Sequence, residues 1–204
     1  MNEVKKGLFI TVEGIDGAGK STQIPVLAEA IKDLGVPLVR TREPGGTELG
    51  EKIRNLLLHE EMSAKCELLL MFASRQENLD KVIKPAIKDG KWVLCDRFTD
   101  ASYAYQWAGR QQPREDIHAL EMFVHPDIKP DKTFLFDLDP EIAAQRLSGS
   151  RDRIESMDLD FHRRVRMAYL RMAKEEPDRY VVIDSTQTPE QISQQIRTMV
   201  HSWR

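Results

Sequence analysis

A glycine-rich stretch near the N-terminus, GIDGAGKST from Gly14 to Thr22, carries the clearest chemistry in this sequence. It follows an apolar run and precedes residues with helical periodicity, the context that a phosphate-binding loop requires. Glycines let the backbone turn tightly enough to aim N–H groups at phosphate oxygens, and the following helix adds the positive end of its dipole. The template assigns Lys20 to the β- and γ-phosphates and the Ser21 hydroxyl to Mg²⁺. The stretch therefore predicts a nucleoside triphosphate site made by Gly14, Ile15, Asp16, Gly17, Ala18, Gly19, Lys20, Ser21 and Thr22.

A second candidate lies at the end of the apolar run from Trp92 to Asp96. Such a run is typical of a buried parallel strand, and its final carboxylate would reach the Mg²⁺ region of a bound triphosphate. Arg97 follows directly and would bring a cation to the same edge of the sheet.

Other polar segments permit both a functional and a structural interpretation. The turn at 42–47 is either a ligand-binding turn at the end of a strand or a plain loop. Residues 102–107 combine aromatic, hydroxyl and amide groups that suit a flat heterocycle, or they form an amphipathic helix with core aromatics. The charged segment from 146 to 166 is either a mobile lid over a polyphosphate or a solvated helix face. A lone arginine on a helix, such as Arg75, is usually solvated.

Strand-like runs alternate with helical periodicity along the whole chain. Besides the run before the glycine-rich loop, strands are predicted at 37–41, 92–96, 133–138 and 180–184. Helices are predicted between them, including a long third helix that ends near 85–90. This alternation requires right-handed crossovers and a parallel sheet. The predicted fold class is α/β, with three layers, about five parallel strands and helices on both faces.

The bulk composition limits the class of protein. The 204 residues, 41% hydrophobic and 31% charged, suit one globular domain spanning 1–204. The net charge of −3 argues against a general nucleic-acid partner. No apolar stretch approaches the about 20 residues that cross a bilayer, and the N-terminus lacks a signal peptide's apolar segment, so we expect no membrane partner. Cys66 and Cys95 show no metal-ligand spacing and fit a reduced, cytoplasmic setting.

Taken together, these segments resemble the thymidylate kinase family over nearly the whole chain. The resemblance rests on GIDGAGKST, REPGG at 42–46, the Ser74-Arg75 pair, DRF at 96–98, the segment 102–106 and DRIE at 152–155. It implies a P-loop kinase fold and transfer of the γ-phosphoryl group from ATP to dTMP, with Mg²⁺ as cofactor. It also implies a homodimer, which would suit the apolar stripes of the second and third helices, although a buried core face explains those stripes as well.

On the ATP side, the resemblance implies that Lys20 and Ser21 hold the phosphates and the metal ion, and that Asp96 supports the Mg²⁺ shell. Asp16 matches an acid that the family places near the acceptor sugar and phosphate. A phosphate oxygen is already ionised at pH 7 and needs no strong general base, so we assign Asp16 to positioning.

On the acceptor side, Arg97 and Arg75 match the arginines that the family uses on the dTMP phosphate and base respectively. Phe72 matches the ring that stacks on thymine. The remaining acceptor positions implied by the resemblance are Glu43, Ser102, Tyr105 and Gln106.

The lid departs from part of the family. Some members carry an arginine inside the P-loop, where this chain has Gly17, and the other class places the catalytic cation in the lid. This chain resembles the second class, with a lid segment near 146–158 that is shorter and less arginine-rich than the class pattern. We assign the finger role to Arg151 and a positioning role to Arg153, and the predicted catalytic set is Lys20, Asp16, Arg97, Arg151 and Arg153.

Two other functions stay open on the sequence. A P-loop kinase with a different acceptor would share the ATP half of the site. A nucleotide-gated switch would bind without phosphorylating, but the sequence lacks the Asn/Thr-Lys-x-Asp element with which GTPase-type switches read guanine.

Overall fold

The computed structural model describes residues 7–147 and 152–203. Strands and helices alternate throughout these ranges, as predicted. The strands are β1 (Phe9–Glu13), β2 (Leu38–Arg42), β3 (Trp92–Asp96), β4 (Lys132–Asp137) and β5 (Tyr180–Asp184). The helices are α1 (Lys20–Lys32), α2 (Glu48–His59), α3 (Ala64–Asn78), α4 (Lys84–Lys88), α5 (Thr99–Ser102), α6 (Arg114–Val124), α7 (Pro140–Arg146), α8 (Leu159–Glu175) and α9 (Pro189–His201), with π-helical stretches at Leu79–Ile83 and Tyr103–Gly109.

The five strands form one parallel sheet in the order β2-β3-β1-β4-β5. This confirms the predicted α/β class and the sheet of about five strands. The central strand β1 pairs with β3 so that Val12 lies opposite Asp96, and with β4 on its other side. The carboxyl ends of β1 and β3 therefore meet at one edge, which is where the glycine-rich loop and Arg97 begin.

Two apolar clusters cover the two faces of the sheet. One packs residues of α1, α8 and α9 against the sheet, and the other packs residues of α3, α4 and α6 against the opposite face. All five residues of β1 are buried, as expected for a strand with neighbours on both edges and helices on both faces. The three-layer prediction is thus confirmed.

Several element boundaries differ from the predicted ones. The strand predicted at 133–138 lies one residue earlier, at Lys132–Asp137. The strand predicted at 37–41 lies one residue later, at Leu38–Arg42, because Pro37 has no N–H to donate to a ladder. The long third helix is divided into α3, a π-helical stretch and α4. Pro85 stands at the start of α4, where its missing N–H is tolerated, and the π-helical stretch precedes it.

A buried arginine ties the helix after β3 to the other half of the sheet. Arg179, just before β5, donates to both carboxylate oxygens of Asp100 on α5 and to the Thr133 hydroxyl on β4. Both charged groups are buried, so each compensates the desolvation of the other. This pair fixes the start of the segment that carries Ser102 and Gln106.

No helix in 7–147 or 152–203 is both long enough and apolar enough to cross a membrane.

Candidate active site

The glycine-rich loop joins β1 to α1 with the geometry of a phosphate cradle. Gly14, Gly17 and Gly19 have φ angles of 135°, 81° and 91°, which L-residues with a side chain rarely adopt. Lys20 is the first residue of α1, and its ammonium donates to the carbonyl oxygens of Gly14 and Ile15, each at 2.9 Å. The lysine is thereby folded over the loop, and burial followed by the nearby Arg97 charge lowers its pKa.

Gly17 explains why this loop carries no arginine. A Cβ atom at position 17 would lie 2.5 Å from the carbonyl oxygen of Ala143 on α7, and the φ of 81° adds backbone strain for any L side chain. The loop packs too closely against α7 to admit a side chain here. The predicted cation beside the phosphates would therefore come from another part of the chain.

An ion pair between Arg97 and Asp16 joins the end of β3 to the glycine-rich loop. The Arg97 guanidinium donates to Asp16 Oδ1 at 2.6 Å and to the Gly14 carbonyl oxygen at 2.9 Å. Burial alone would raise the pKa of Asp16, but the charges of Arg97 and Lys20 hold it below its ordinary value. Tyr105 adds a hydroxyl donor to Asp16 Oδ2 at 3.3 Å. The pair is therefore a fixed, fully ionised unit.

Arg97 adopts a left-handed backbone conformation, with a φ of 69°. Such a conformation costs energy for a non-glycine residue and needs support from its surroundings. The next residue supplies it, because the Phe98 N–H donates to Glu13 Oε1 at 2.7 Å. The second oxygen of Glu13 accepts the Tyr169 hydroxyl at 2.6 Å. Burial, followed by the charge of Asp100, raises the pKa of Glu13 to about 8.

Ser21 and Asp96 line one cleft beside the loop, as their predicted metal role requires. Within the described ranges, the buried Asp96 Oδ1 has no hydrogen-bond partner, so it is free to accept a ligand. No group of three or more His, Cys, Asp or Glu side chains in that part of the chain could hold a metal ion. Such a donor set fits Mg²⁺, which binds through one or two protein oxygens together with substrate phosphates.

Two cavities meet at the Asp16–Arg97 pair. The larger, of about 680 Å³, runs along the glycine-rich loop to Arg146, Ser185 and Gln187. The smaller, of about 80 Å³, is more apolar and is lined by Met71 of α3, by Phe98 just after β3 and by residues of the 102–106 segment. The residues that line both are Asp16, Glu43, Arg54 and Arg97.

Arg75 is buried at the wall of the smaller cavity, contrary to the solvated position usual for a lone helical arginine. Its guanidinium donates to Glu43 Oε2 at 2.7 Å, to the Phe98 carbonyl oxygen at 3.2 Å and to the Ser102 hydroxyl at 3.1 Å. The remaining nitrogen, Nη1, is buried and has no partner among the described residues. A buried N–H group without a partner is costly, so Nη1 is a donor in need of an acceptor from a ligand.

The predicted acceptor residues come together here, with one difference. Glu43, Ser102, Tyr105 and Gln106 line the smaller cavity. Phe72 does not line it, because the ring is buried behind the Arg75 guanidinium, with its centroid 4.4 Å from that group. A cation–π contact of this kind supports Arg75. Stacking of Phe72 on a base stays a prediction.

The structure describes only one of the two arginines to which the sequence assigned roles in the lid. Arg151 lies outside the described residues. Arg153 donates to the Leu57 carbonyl oxygen at 3.1 and 2.9 Å and to Glu67 at 2.7 Å, so its guanidinium is used at the end of α2 and the start of α3. It does not line the phosphate cleft, whereas Arg146 does. This geometry fits the positioning role predicted for Arg153 and does not support a direct contact with the reacting phosphate.

Several polar residues of the site were not predicted from the sequence. Arg54 lines both cavities and donates to the Pro44 carbonyl oxygen. Glu13, Glu67 and Tyr169 are buried polar groups in segments read as apolar or helical. The only sequence signal for them is an ionisable residue on an otherwise apolar strand or helix face. The same signal also occurs at solvated positions, and it does not indicate which residue the side chain contacts.

Comparison with known proteins identifies relatives over almost the entire chain. The family model described as thymidylate kinase matches residues 12–196. The thymidylate kinase of Methylobacillus flagellatus is 46% identical over 201 residues, covering 98% of this chain and 99% of the relative. That of Bordetella pertussis is 49% identical over 197 residues, covering 96% and 95% respectively. The crystal structure of the Ehrlichia chaffeensis thymidylate kinase superposes with a TM-score of 0.79 at 36% identity, covering 96% of this chain and 99% of that one.

The buried carboxyl of Glu13 predicts a specific pH dependence of stability. Between pH 4.5, the ordinary pKa, and about 8, the folded protein keeps the Glu13 proton that the unfolded chain has lost, so wild-type stability falls as pH rises. Glu13→Gln keeps an acceptor for Phe98 and cannot ionise, so it lacks this loss. We expect the stability of the variant relative to wild type to increase from pH 5 to pH 8, measured by urea unfolding. A constant difference across this range would contradict the assignment.

Proposed function

The chain belongs to the thymidylate kinase family, and we propose that its two connected cavities hold the two substrates of the family's reaction. The enzyme phosphorylates dTMP to dTDP, with ATP as the phosphoryl donor. The observation that carries the proposal is that both cavities are lined by Asp16, Glu43, Arg54 and Arg97. ATP would occupy the cleft along the glycine-rich loop and dTMP the smaller cavity, so the two phosphate groups would face each other at this junction.

The chemical step needs positioning and charge neutralisation more than proton transfer. An ionised oxygen of the dTMP phosphate attacks the γ-phosphorus, and the bond from this phosphorus to the oxygen bridging it to the β-phosphate breaks, which releases ADP. Lys20 would exchange its two carbonyl contacts for β- and γ-phosphate oxygens. Arg97 and Arg54 would hold the acceptor phosphate, and Asp16 would keep Arg97 in place. Whether Arg151 also reaches the γ-phosphate remains the prediction made from the lid sequence.

The thymine base would lie between Arg75 and Gln106. Thymine presents a carbonyl acceptor at O4 beside a donor at N3–H, and the unpaired Nη1 of Arg75 is a buried donor suited to that carbonyl. Ser102 is already used to hold Arg75, and Glu43 balances its charge. In this proposal Glu43 and Ser102 act on the base through Arg75, while Tyr105 supports Asp16.

We propose that Mg²⁺ is the cofactor and that Ser21 and Asp96 support it beside the phosphates. The ion would neutralise charge on the β- and γ-phosphates. Asp96→Asn removes the carboxylate charge with little change of shape, so we expect about tenfold more Mg²⁺ for half-maximal turnover. Mg²⁺ titration of the ADP-release rate measures this, with the exposed Asp89→Asn as control. An unchanged Mg²⁺ requirement would remove Asp96 from the metal site.

The assignment of the two cavities is tested at their junction. Arg97→Ala removes a charge-assisted donor that we assign to the acceptor phosphate, so the affinity for dTMP should fall about tenfold to a hundredfold. Affinity for ATP should fall by a smaller factor, because Arg97 also contacts Gly14 and Asp16 of the glycine-rich loop. Calorimetric titration with each nucleotide separately gives both constants. Weaker ATP binding with unchanged dTMP binding would mean that the cavities are assigned in the wrong order.

We also propose a homodimer formed through α2, α3 and α6. These helices are neighbours and expose large apolar side chains: Leu49 and Leu56 on α2, Leu69 on α3, and Met122 and Phe123 on α6. Phe123 is 85% exposed, which is unusual for an aromatic ring on a free surface. Burial of these side chains between two copies of the chain would explain why all five are exposed in the single chain.

Sedimentation equilibrium tests the dimer directly. The wild-type chain should sediment as a dimer and Phe123→Glu as a monomer, because a charge on the ring position cannot be buried at an apolar contact. Met167→Glu changes another exposed apolar residue, on α8, and should stay dimeric. A monomeric wild type, or a dimeric Phe123→Glu, would oppose this interface.

Two broader expectations remain proposals. We propose that residues 1–204 act as one domain, since both cavities are built on a single sheet, with the lid near 146–158. We propose a cytoplasmic location because Cys66 and the buried Cys95 are both free thiols, as a reducing compartment would keep them. Subcellular fractionation measures the second expectation.

A further inference from the structure

Glu67, at the start of α3, receives hydrogen bonds from two separate parts of the chain, the segment 106–110 and the predicted lid. Its carboxylate accepts from the Gln106 amide nitrogen at 2.9 Å, from Arg110 at 2.9 Å and from Arg153 of the lid at 2.7 Å. The residue is only 1% exposed, so it contacts solvent hardly at all. One carboxylate thus joins the wall of the smaller cavity to the lid.

The carboxylate fixes the direction of the Gln106 amide. Burial alone would raise the pKa of Glu67, but the hydrogen bonds from Gln106, Arg110 and Arg153 and the charge of Arg110 lower it, so the group is ionised. An ionised carboxylate only accepts hydrogen bonds, and therefore Gln106 must turn its NH₂ group to Glu67. Its carbonyl oxygen is left as the atom that the amide offers to the cavity.

A carbonyl oxygen at this position distinguishes between pyrimidine bases. Thymine and uracil carry an N3–H donor, which a carbonyl oxygen accepts. Cytosine has an unprotonated N3, an acceptor that would face the oxygen without a hydrogen bond. A buried pair of acceptors is unfavourable, so the orientation of Gln106 selects for an imide base and against cytosine.

The same carboxylate holds the lid in place. The Arg153 guanidinium uses two of its nitrogens on the Leu57 carbonyl oxygen and the third on Glu67. Asp152 and Ile154, the neighbours of Arg153 in the chain, line the smaller cavity. The contact with Glu67 therefore holds residues 152–154 of the predicted lid at the cavity in which Gln106 lies.

We propose that Glu67 is a positioning residue that selects the acceptor base by orienting Gln106 and that holds the lid over the same base through Arg153. The proposal rests on the proposed placement of dTMP in the smaller cavity. Glu67 itself touches neither nucleotide. Its effect on selectivity is transmitted by Gln106 and its effect on the lid by Arg153.

The variant Glu67→Gln distinguishes a positioning role of Glu67 from a role in packing alone. The variant has the same shape but offers both a donor and an acceptor, so Gln106 is able to reverse and present its NH₂ group to the cavity. We expect the ratio of kcat/KM for dTMP to kcat/KM for dCMP to fall about tenfold or more. Arg153→Ala removes the contacts of the lid with Glu67 and Leu57 but leaves the hydrogen bond between Glu67 and Gln106, so it should lower kcat by about tenfold and leave this ratio unchanged.

A double-mutant cycle on kcat identifies the shared contact. If Glu67 acts on the lid through Arg153, adding Glu67→Gln to Arg153→Ala should lower kcat little further. Glu121→Gln, which removes a carboxylate bonded to Tyr103 outside the site, serves as control and should match wild type in both measurements. Thermal unfolding of each variant establishes that the fold is retained.

The outcomes separate this inference from the function on which it rests. Wild-type turnover of dCMP in preference to dTMP would overturn the placement of the base. Turnover of dTMP by wild type with an unchanged base ratio in Glu67→Gln would overturn the inference alone. If Glu67→Gln fails to fold, Gln106→Ala is the deciding variant. The ratio of kcat/KM for dTMP to kcat/KM for dCMP must then fall. An unchanged ratio would show that the Gln106 amide does not select the base, so its orientation by Glu67 would have no effect.

Discussion

The ion pair between Arg97 and Asp16 is the contact on which the arrangement of the site depends. It joins the end of β3 to the glycine-rich loop after β1, two strands that lie side by side in the centre of the sheet. Each charge compensates the burial of the other, and the carbonyl oxygen of Gly14 and the Tyr105 hydroxyl satisfy further donors and acceptors. The left-handed backbone at Arg97 directs its guanidinium into the space between the two cavities. Together with Glu43 and Arg54, this pair forms the wall that the two cavities share.

Buried carboxylates repeat the same principle on the acceptor side. Glu43 holds Arg75, Glu67 holds Arg153 and Gln106, and Glu13 holds the backbone that follows Arg97. All three acids are components of the protein framework. Glu43 leaves Arg75 Nη1 without a protein partner, and Glu67 leaves the carbonyl oxygen of Gln106 available to the cavity. Because the partners are fixed before substrate binds, little ordering is needed when the phosphate groups arrive. In the proposed reaction, these fixed groups would stabilise charge without a catalytic base.

The sequence was sufficient wherever the signal is local. The apolar runs at 92–96 and 180–184 are observed as β3 and β5 with the same bounds, and the glycine template identified the loop before α1. Contacts between segments that are distant in the sequence could not be predicted from it. Glu67 and Gln106 are 39 residues apart, and Glu13 and Tyr169 are 156 apart, so no periodicity connects them. Arg54 likewise faces the junction only because α2 packs beside the turn at 42–47. The buried position of Phe72 depends in the same way on tertiary packing.

The most direct test of this account is a crystal structure with dTMP, Mg²⁺ and a non-hydrolysable ATP analogue bound together. The account predicts that the γ-phosphate lies over Lys20, and that the dTMP phosphate lies within hydrogen-bond distance of Arg97 on the other side of the junction. It also predicts that thymine N3 faces the Gln106 carbonyl oxygen. A dTMP phosphate beyond the reach of Arg97, or a base outside the cavity lined by Arg75 and Gln106, would contradict it.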